Sequence, residues 1–288
     1  TLPSSFDWRN RPAGNYLTNI RNQAQCGSCW AFSVVGVTEA ALNIANGTVG
    51  NNYDLSEQFL VTDCNSYGDC CGGYTSWVMS DMATEGTPDE ACMTYVDGSS
   101  GYDGSTCKCN SNGTCNSGCA HNTDGDCSDK ACSDRCGDWA SRIVTVDHVG
   151  YVSNDKATIK AELIEKGPLK AAMYWGGGSF QNGIYTCGAV LGTNHAVVIV
   201  GYDDADSSWL IRNSWGPGWD GDGYFKIAYD SCNIQTSVMY GTIDPISLEA
   251  PTLTSPEDAS TTPDTTPTFD WDDVANATGY VLQYADNY

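Results

Sequence analysis

Basic side chains are scarce in this chain: 288 residues carry 13 lysines and arginines against 36 aspartates and glutamates, a formal net charge of −23. Such a field repels nucleic-acid phosphates and anionic membranes, so neither is expected as a partner. Solubility in an acidic, salty or extracellular setting is the plainer reading of the charge. Long hydrophobic runs are absent too, since no stretch of 18 apolar residues occurs, and membrane insertion is not expected. The first residues, Thr1-Leu-Pro-Ser-Ser, lack the basic and apolar regions of a signal peptide. Histidine is limited to His121, His148 and His195, so any imidazole chemistry has three candidates.

Cysteine, by contrast, is abundant. Fifteen cysteines are far too many for a cytosolic protein of ordinary chemistry, and they point to an extracellular, secreted or lysosome-like oxidising compartment. Together with the missing signal, this suggests a processed form. The count is odd, which implies seven bridges and one thiol to spare. Aspartate outnumbers glutamate 28 to 8, and Asp-Gly-Asp at 124–126 and 220–222 offers calcium-type loop ligands, although these residues also populate ordinary turns.

At roughly 100–200 residues per domain, the length suggests one large or two modest domains. The run from Trp30 to Ala45 is apolar on nearly every face and stops at Asn46-Gly47, as a helix buried on all sides would. Leu55–Val61 and Tyr74–Thr84 read as further helices, the second stopped by Gly86. Residues 107–136 differ: seven cysteines sit among Gly, Asn, Ser and Asp with almost nothing to bury, so this segment has to be stapled. After a helix at Asp155–Lys166, closed by Gly167-Pro168, come β-rich runs at Leu169–Tyr174, His195–Tyr202, Trp209–Arg212, Tyr224–Ala228 and Val238–Ile243. They predict a mainly antiparallel second half, as a barrel. From Pro245 the composition shifts to Pro, Thr, Ser and Asp, then Thr268-Phe-Asp-Trp-Asp and Gly279-Tyr-Val-Leu-Gln-Tyr follow. That stretch resembles the opening strands of a fibronectin type III module, though about 40 residues cannot complete a sandwich of roughly 100.

The sharpest motif is Gln23-Ala-Gln-Cys26-Gly-Ser-Cys29-Trp30-Ala-Phe-Ser33. With Asp7-Trp8, Leu55-Ser-Glu-Gln58, Cys70-Cys-Gly-Gly73, Asn194-His195-Ala196 and Asn213-Ser-Trp-Gly216, the chain resembles the papain and cathepsin family of cysteine proteases. The resemblance implies an α+β papain-like fold of two domains with the active cleft between them. A mainly helical left domain spans 1–106, a disulfide-stapled insertion 107–139, a β-barrel right domain 140–243, and a linker with a truncated module 244–288.

A cysteine protease needs a thiolate, a base, a group that fixes the base, and donors for the tetrahedral oxyanion. The resemblance assigns these to Cys29, His195, Asn213 and Gln23, the last aided by the backbone N–H of Cys29, with Trp215 shielding the hydrogen bond between His195 and Asn213. Gly72 and Gly73 are expected to let an extended substrate approach, and Tyr74, Thr75, Ala172, Thr193, Ala196 and Ser237 match positions of the S2 pocket. No acid stands at Ser237, which favours apolar P2 residues over arginine. His195 and Asn213 follow Cys29 by 166 and 184 positions, against about 130–150 in the plain pattern. The 30 residues of 107–136 account for the excess as one insertion. His148, in the alternating Val146-Asp-His-Val149, reads as structural, and His121 as a solvated residue of the insert.

The resemblance further implies an inhibitory propeptide, protein or peptide substrates, a monomer, and no metal or organic cofactor. It pairs Cys26 with Cys70, Cys187 with Cys232, and Cys64 with Cys107, leaving Cys71 and Cys92 to bridge each other. Cys109, Cys115, Cys119, Cys127, Cys132 and Cys136 would then form three local bridges, among 15 possible connectivities. Zinc on these cysteines is the alternative that an oxidising compartment disfavours. The insert lies near the occluding loop that makes cathepsin B a carboxydipeptidase, but it has only His121 and no adjacent pair, so an endopeptidase is expected. Rival readings are a Cys-x-x-Cys redox protein, which has no use for His195, Asn213 and Trp215, and an inactive binding homologue, which usually lacks one of the catalytic residues. Complete modules downstream of the tail would add a tethering function. Asn46, Asn112 and Asn276 head glycosylation sequons.

Overall fold

The computed structural model describes residues 1–98, 109–110, 115, 127–189, 192–245, 251–255 and 268–272. Cys107, Cys119, His121, Asn112, Asn276, the first Asp-Gly-Asp and the run 279–284 lie outside them. The chain divides into two compact units, Thr1–Asp244 and Pro245–Tyr288.

In the first unit, strand β1 (Ser5–Asp7) precedes helices α1 (Cys29–Ala45) and α2 (Glu57–Val61), the short strands β2 (Gly68–Asp69) and β3 (Gly72–Gly73), and helix α3 (Thr75–Asp81). Strand β4 (His148–Val152) and helix α4 (Lys156–Lys166) follow. The remaining strands are β5 (Leu169–Met173), β6 (Ser179–Gln181), β7 (Ile184–Thr186), β8 (His195–Asp203), β9 (Ser208–Arg212), β10 (Tyr224–Ala228) and β11 (Val238–Thr242). The second unit contributes an antiparallel pair, β12 (Leu253–Ser255) and β13 (Asp270–Trp271).

Helices early and strands late make the class α+β. The large sheet runs β4-β11-β5-β8-β9-β10-β7-β6, with β1 added to β8. Its pairings are antiparallel except β7 with β10. The ends β4 and β6 do not pair among the described residues, so the expected barrel is here a sheet left open. Strands β6 and β7, absent from the sequence expectations, form a hairpin whose turn, Asn182-Gly183, has positive φ at both residues.

Helix α1 is apolar on nearly every face, and Trp30 to Ala41 are all buried. It packs against β8 and β11, as does α4. Strand β8 answers it with eight buried residues in succession, His195 to Tyr202. Helix α1 ends where Gly47 takes φ +61, and α4 where Gly167 takes φ +108 before Pro168. Helix α2 starts at Ser56, whose hydroxyl accepts the Phe59 N–H at 3.0 Å.

Six disulfides join described cysteines, and Cys29 is free. Cys26–Cys70 and Cys187–Cys232 pair as expected. The other expected pairs do not form: Cys64 bonds Cys132 rather than Cys107, and Cys71 and Cys92 bond Cys109 and Cys136 rather than each other. Among the remaining insert cysteines, Cys115–Cys127 is the local bridge described. The reason is that the insert, having no core, borrows that of the helical half. The Cys127 N–H donates to Asp69 at 3.1 Å, and its carbonyl accepts from Cys70 at 3.1 Å. Farther along, the Asp129 N–H donates to Asp97 at 2.6 Å and the Cys136 N–H to the Cys92 carbonyl at 3.1 Å. Residues 127–136 are thereby laid beside 63–71 and 92–97, which sets Cys132 against Cys64 and Cys136 against Cys92.

This packing buries carboxylates. Asp97 accepts from Gln58 Nε2, Ser128 Oγ and the Asp129 N–H, yet burial still lifts its pKa to about 6. Glu90 is lifted to about 7 by burial, against the pull of the Tyr95 N–H, and its Oε2 has no partner among the described residues. A raised folded-state pKa stabilises the fold below the ordinary carboxylate range, and that contribution is lost as pH rises through the raised value. The thermal midpoint of the inactive Cys29→Ala protein is therefore expected to fall between pH 4.5 and pH 8. Glu90→Gln should make that fall shallower in a calorimetric pH series; an unchanged slope would remove Glu90 from the account.

Candidate active site

Helix α1 begins at Cys29 and β8 begins at His195, and packing one against the other brings these two termini to one cleft of about 560 Å³. The Ala196 N–H donates to the Cys29 Sγ at 3.4 Å. No side chain caps α1, because the Ser28 hydroxyl bonds Tyr95 instead, at 2.7 Å. The unpaired amides and dipole of the helix start are thus left to act on the sulfur.

The His195 Nε2–H donates to Asn213 Oδ1 at 2.9 Å, and the ring stacks on Trp215 with centroids 4.6 Å apart. That bond leaves Nδ1 as the ring atom able to exchange a proton. Asn213 Oδ1 also accepts the Ser214 N–H at 2.9 Å, whereas its buried Nδ2 has no partner among the described residues. The side chain therefore holds the imidazole through its oxygen.

Gln23 is buried. Its Oε1 accepts the Ser214 hydroxyl at 2.6 Å, and its Nε2 donates to the Cys26 carbonyl at 2.9 Å, which leaves one of the two Nε2 hydrogens unspent. Its backbone is held from two sides, N–H to Ser214 O at 2.8 Å and C=O from the Tyr95 hydroxyl at 3.0 Å.

Burial opposes charge on either reacting group taken alone. It pushes the Cys29 thiol up from its ordinary value, against backbone N–H groups of Ala196 and Trp30 that pull it down. It lowers His195 to about 4, against the bond to Asn213. A proton passed from Cys29 to His195 would create both ions at once, each the counter-ion of the other.

Of the other expected residues, Gly72, Gly73, Thr75, Ala172, Thr193, Ala196 and Trp215 line the cleft. Tyr74 does not; it is exposed beyond the rim and stacks on Trp77 at 4.3 Å. Ser237 lies behind the wall, its carbonyl accepting the Ala172 N–H at 3.3 Å. Gly72 has open space where a Cβ would be, as an approaching substrate requires, but Gly73 has a different reason: its Cβ would stand 2.5 Å from the Trp30 ring. His148 is exposed and bonds Asp244, far from this chemistry in role.

Sequence reasoning missed Trp175 and Asn194, which line the cleft as well. They hold each other, the Trp175 N–H donating to Asn194 Oδ1 at 2.6 Å and Asn194 Nδ2 to the Trp175 carbonyl at 2.8 Å. Trp175 then packs edge-on against Trp215 at 4.9 Å, extending the apolar wall beside His195. The signal was an isolated tryptophan at a strand end, Tyr174-Trp175-Gly176. Two groups of close metal-ligand types occur among the described residues, Cys26, Cys70 and Asp97, and Asp69, Cys71 and Cys127, but every cysteine in them is bridged and offers no thiolate.

Comparison with known proteins agrees with this geometry. Residues 2–242 match the family described as papain family cysteine protease. The chain is 32% identical over 239 residues to a probable cysteine protease, RD21C, of Arabidopsis thaliana, covering 79% of this chain and 44% of that protein. The chain thus spans less than half the length of that relative. Among solved structures, the Carica candamarcensis cysteine protease CMS1MS2 in complex with E-64 superposes with a TM-score of 0.61 at 27% identity, covering 84% of this chain and all of that one. Digestive procathepsin L2 from the Tenebrio molitor larval midgut gives 0.59 at 26% identity, covering 84% and 69%. The chain belongs to the papain family of cysteine proteases.

Proposed function

We propose that the chain is a cysteine endopeptidase in which Cys29 is the nucleophile and His195 the general acid and base. The observation that carries this reading is the meeting, in one cleft, of the unbridged thiol at a helix start with an imidazole held by Asn213.

The Cys29 thiol gives its proton to His195 Nδ1, and the thiolate attacks the scissile carbonyl carbon. The oxyanion accepts hydrogen bonds from the remaining Nε2–H of Gln23 and the N–H of Cys29. As the carbon–nitrogen bond breaks, His195 returns the proton to the leaving amine, leaving an acyl thioester on Cys29. Water then loses a proton to His195, attacks the thioester, and releases the acid as the proton passes back to the sulfur. Asn213 positions the ring throughout, and Trp215 excludes water that would compete for their bond. Thr75, Ala172, Thr193 and Ala196 line the S2 pocket in this reading, with apolar P2 residues preferred over arginine, and Gly72 and Gly73 face the substrate backbone.

The same reading includes a helical domain 1–106, an insertion 107–139, a sheet domain 140–243 and a tail 244–288; the order of α1–α3 before β4–β11 supports it. An inhibitory propeptide is supported by the procathepsin likeness, and an oxidising, secreted or lysosome-like compartment by the disulfides. The single histidine of the insert supports internal cleavage over removal of C-terminal dipeptides.

A thiol-directed epoxide inhibitor is expected to modify one cysteine, Cys29, without prior reduction, as read by peptide mass mapping. Labelling of several cysteines, or of none, would sink the assignment. The labelled enzyme's untreated counterpart should cleave peptides with Phe or Leu at P2 faster than those with Arg, and a library profile led by P2 Arg would refute the pocket reading.

His195 gives a second test. In Cys29→Ala the imidazole loses its counter-ion while staying buried, so its proton NMR titration is expected below pH 5. In the intact enzyme the thiolate should keep the same ring protonated at pH 6. A His195 that titrates near its ordinary value in Cys29→Ala would contradict coupling of the pair.

A further inference from the structure

A second cavity, of about 180 Å³, opens where residues 135–139 lie against α2 and α3. Phe59 and Leu60 of α2, Val78 of α3 and Met82 give it an apolar floor, and all four are buried. Trp139 continues that floor by stacking on Phe59, with ring centroids 6.0 Å apart. None of the residues lining this cavity lines the cleft that holds Cys29.

Three charged side chains line it as well: Arg135, Asp81 and Glu85. The arginine is fixed by other contacts, its guanidinium 4.2 Å over the Trp139 ring and its Nη1 donating to the sulfurs of the Cys64–Cys132 bridge. Among the described residues it pairs with neither acid, and its Nε and Nη2 hydrogens are unspent. The acids are placed against local preference. Asp81 is the last residue of α3, where the helix dipole favours a cation, and the Glu85 N–H donates to the Asp81 carbonyl at 2.7 Å. Two carboxylates one turn apart repel each other, and beside an apolar floor water screens them less. The cavity therefore offers an unanswered cation and an unanswered pair of anions over one apolar surface.

Its volume sets the size of the occupant. Sites for drug-sized ligands run to roughly 300–1,000 Å³, whereas an apolar cavity of about 150 Å³ already takes a benzene ring. One aromatic ring thus fills the floor, which leaves its head group at the mouth, where Glu85 is exposed. An ammonium there would answer Asp81 and Glu85, and a carboxylate would be received by the free edge of the Arg135 guanidinium.

We propose that this cavity is a binding site for a free aromatic amino acid, with the ring on the floor of Phe59, Leu60, Val78, Met82 and Trp139, the ammonium held by Asp81 and Glu85, and the carboxylate by Arg135. The bound zwitterion ties residues 135–139 to α3. The site stands whether or not the cleft cleaves peptides.

The test is calorimetric titration of the Cys29→Ala protein at physiological salt with three probes of one shape: L-phenylalanine, 3-phenylpropionate, which lacks the ammonium, and phenethylamine, which lacks the carboxylate. Phenylalanine is expected to bind one-to-one with a dissociation constant of about 1 mM or below. Each truncated probe should bind at least fivefold more weakly. In Asp81→Asn/Glu85→Gln, which alters only the rim, phenylalanine should weaken at least fivefold while 3-phenylpropionate is unchanged. No heat of binding from phenylalanine at millimolar concentration overturns the site. Equal affinities for the three probes, or phenethylamine binding as tightly as phenylalanine, overturn the recognition of a zwitterion. Binding of phenylalanine that the double substitution leaves untouched places it elsewhere, the cleft included, and overturns the assignment to this cavity.

Discussion

The packing of α1 on β8 is the constraint on which the rest of the protein depends. Helix α1 has almost no face that tolerates water, and β8 has eight successive buried residues, so each can be satisfied only by being enclosed. Their relative slide then decides whether there is a site at all. One helical turn is about 5.4 Å, and a shift of that size would separate the Cys29 sulfur from the Ala196 N–H beside His195. A buried polar seam fixes the slide. Glu39 of α1 accepts the Thr18 hydroxyl and the Leu55 N–H, and Arg212 at the end of β9 donates to Thr18 at 3.1 Å and to the Asn19 carbonyl at 2.8 Å. Apolar packing supplies the driving force, while these directional bonds choose one register among those that apolar surfaces alone would permit.

The residue after Arg212 is Asn213, so the seam that registers the helix also places the group that holds His195. Ser214 carries the connection onward, its N–H to Asn213 Oδ1 and its hydroxyl to Gln23 Oε1. Two consecutive residues, Asn213 and Ser214, thus tie the proposed base to the proposed oxyanion donor, and Trp215, next in sequence, roofs the imidazole. Disturbing Ser214 would misplace two functions at once, although it touches neither the sulfur nor a substrate in the mechanism above.

Much of this was legible because the chemistry is concentrated in short runs. Gln23 to Ser33 and Asn213 to Gly216 each put several interacting residues within one turn or one strand end, where neighbouring identities constrain one another. The all-round apolar character of Trp30–Ala45 marked the central helix for the same reason. Pairings set by long-range layout were not legible: Cys64 to Cys132 and Cys92 to Cys136 depend on residues 127–136 being laid along 63–71 and 92–97 by backbone bonds to Asp69, Asp97 and Cys92. No local pattern encodes that path. The hairpin of β6 and β7 is a different case, since Asn182-Gly183 is a strong two-residue turn signal, but its strands are only three residues long and fully exposed in β6, too short to show alternation.

The buried charges separate scaffold from site by how they are neutralised. Glu39 has Arg212, Thr18 and a backbone N–H, and Asp97 has three donors, so each is answered from within the chain and its structural role is complete. In the proposed reaction Cys29 and His195 answer each other, but only after a proton has moved, which is what would make them reactive rather than structural. Lys170 is answered by neutral oxygens alone, both from Ser237. A methionine would fill the same space without the desolvation cost, so this ammonium weakens the fold it sits in rather than registering it.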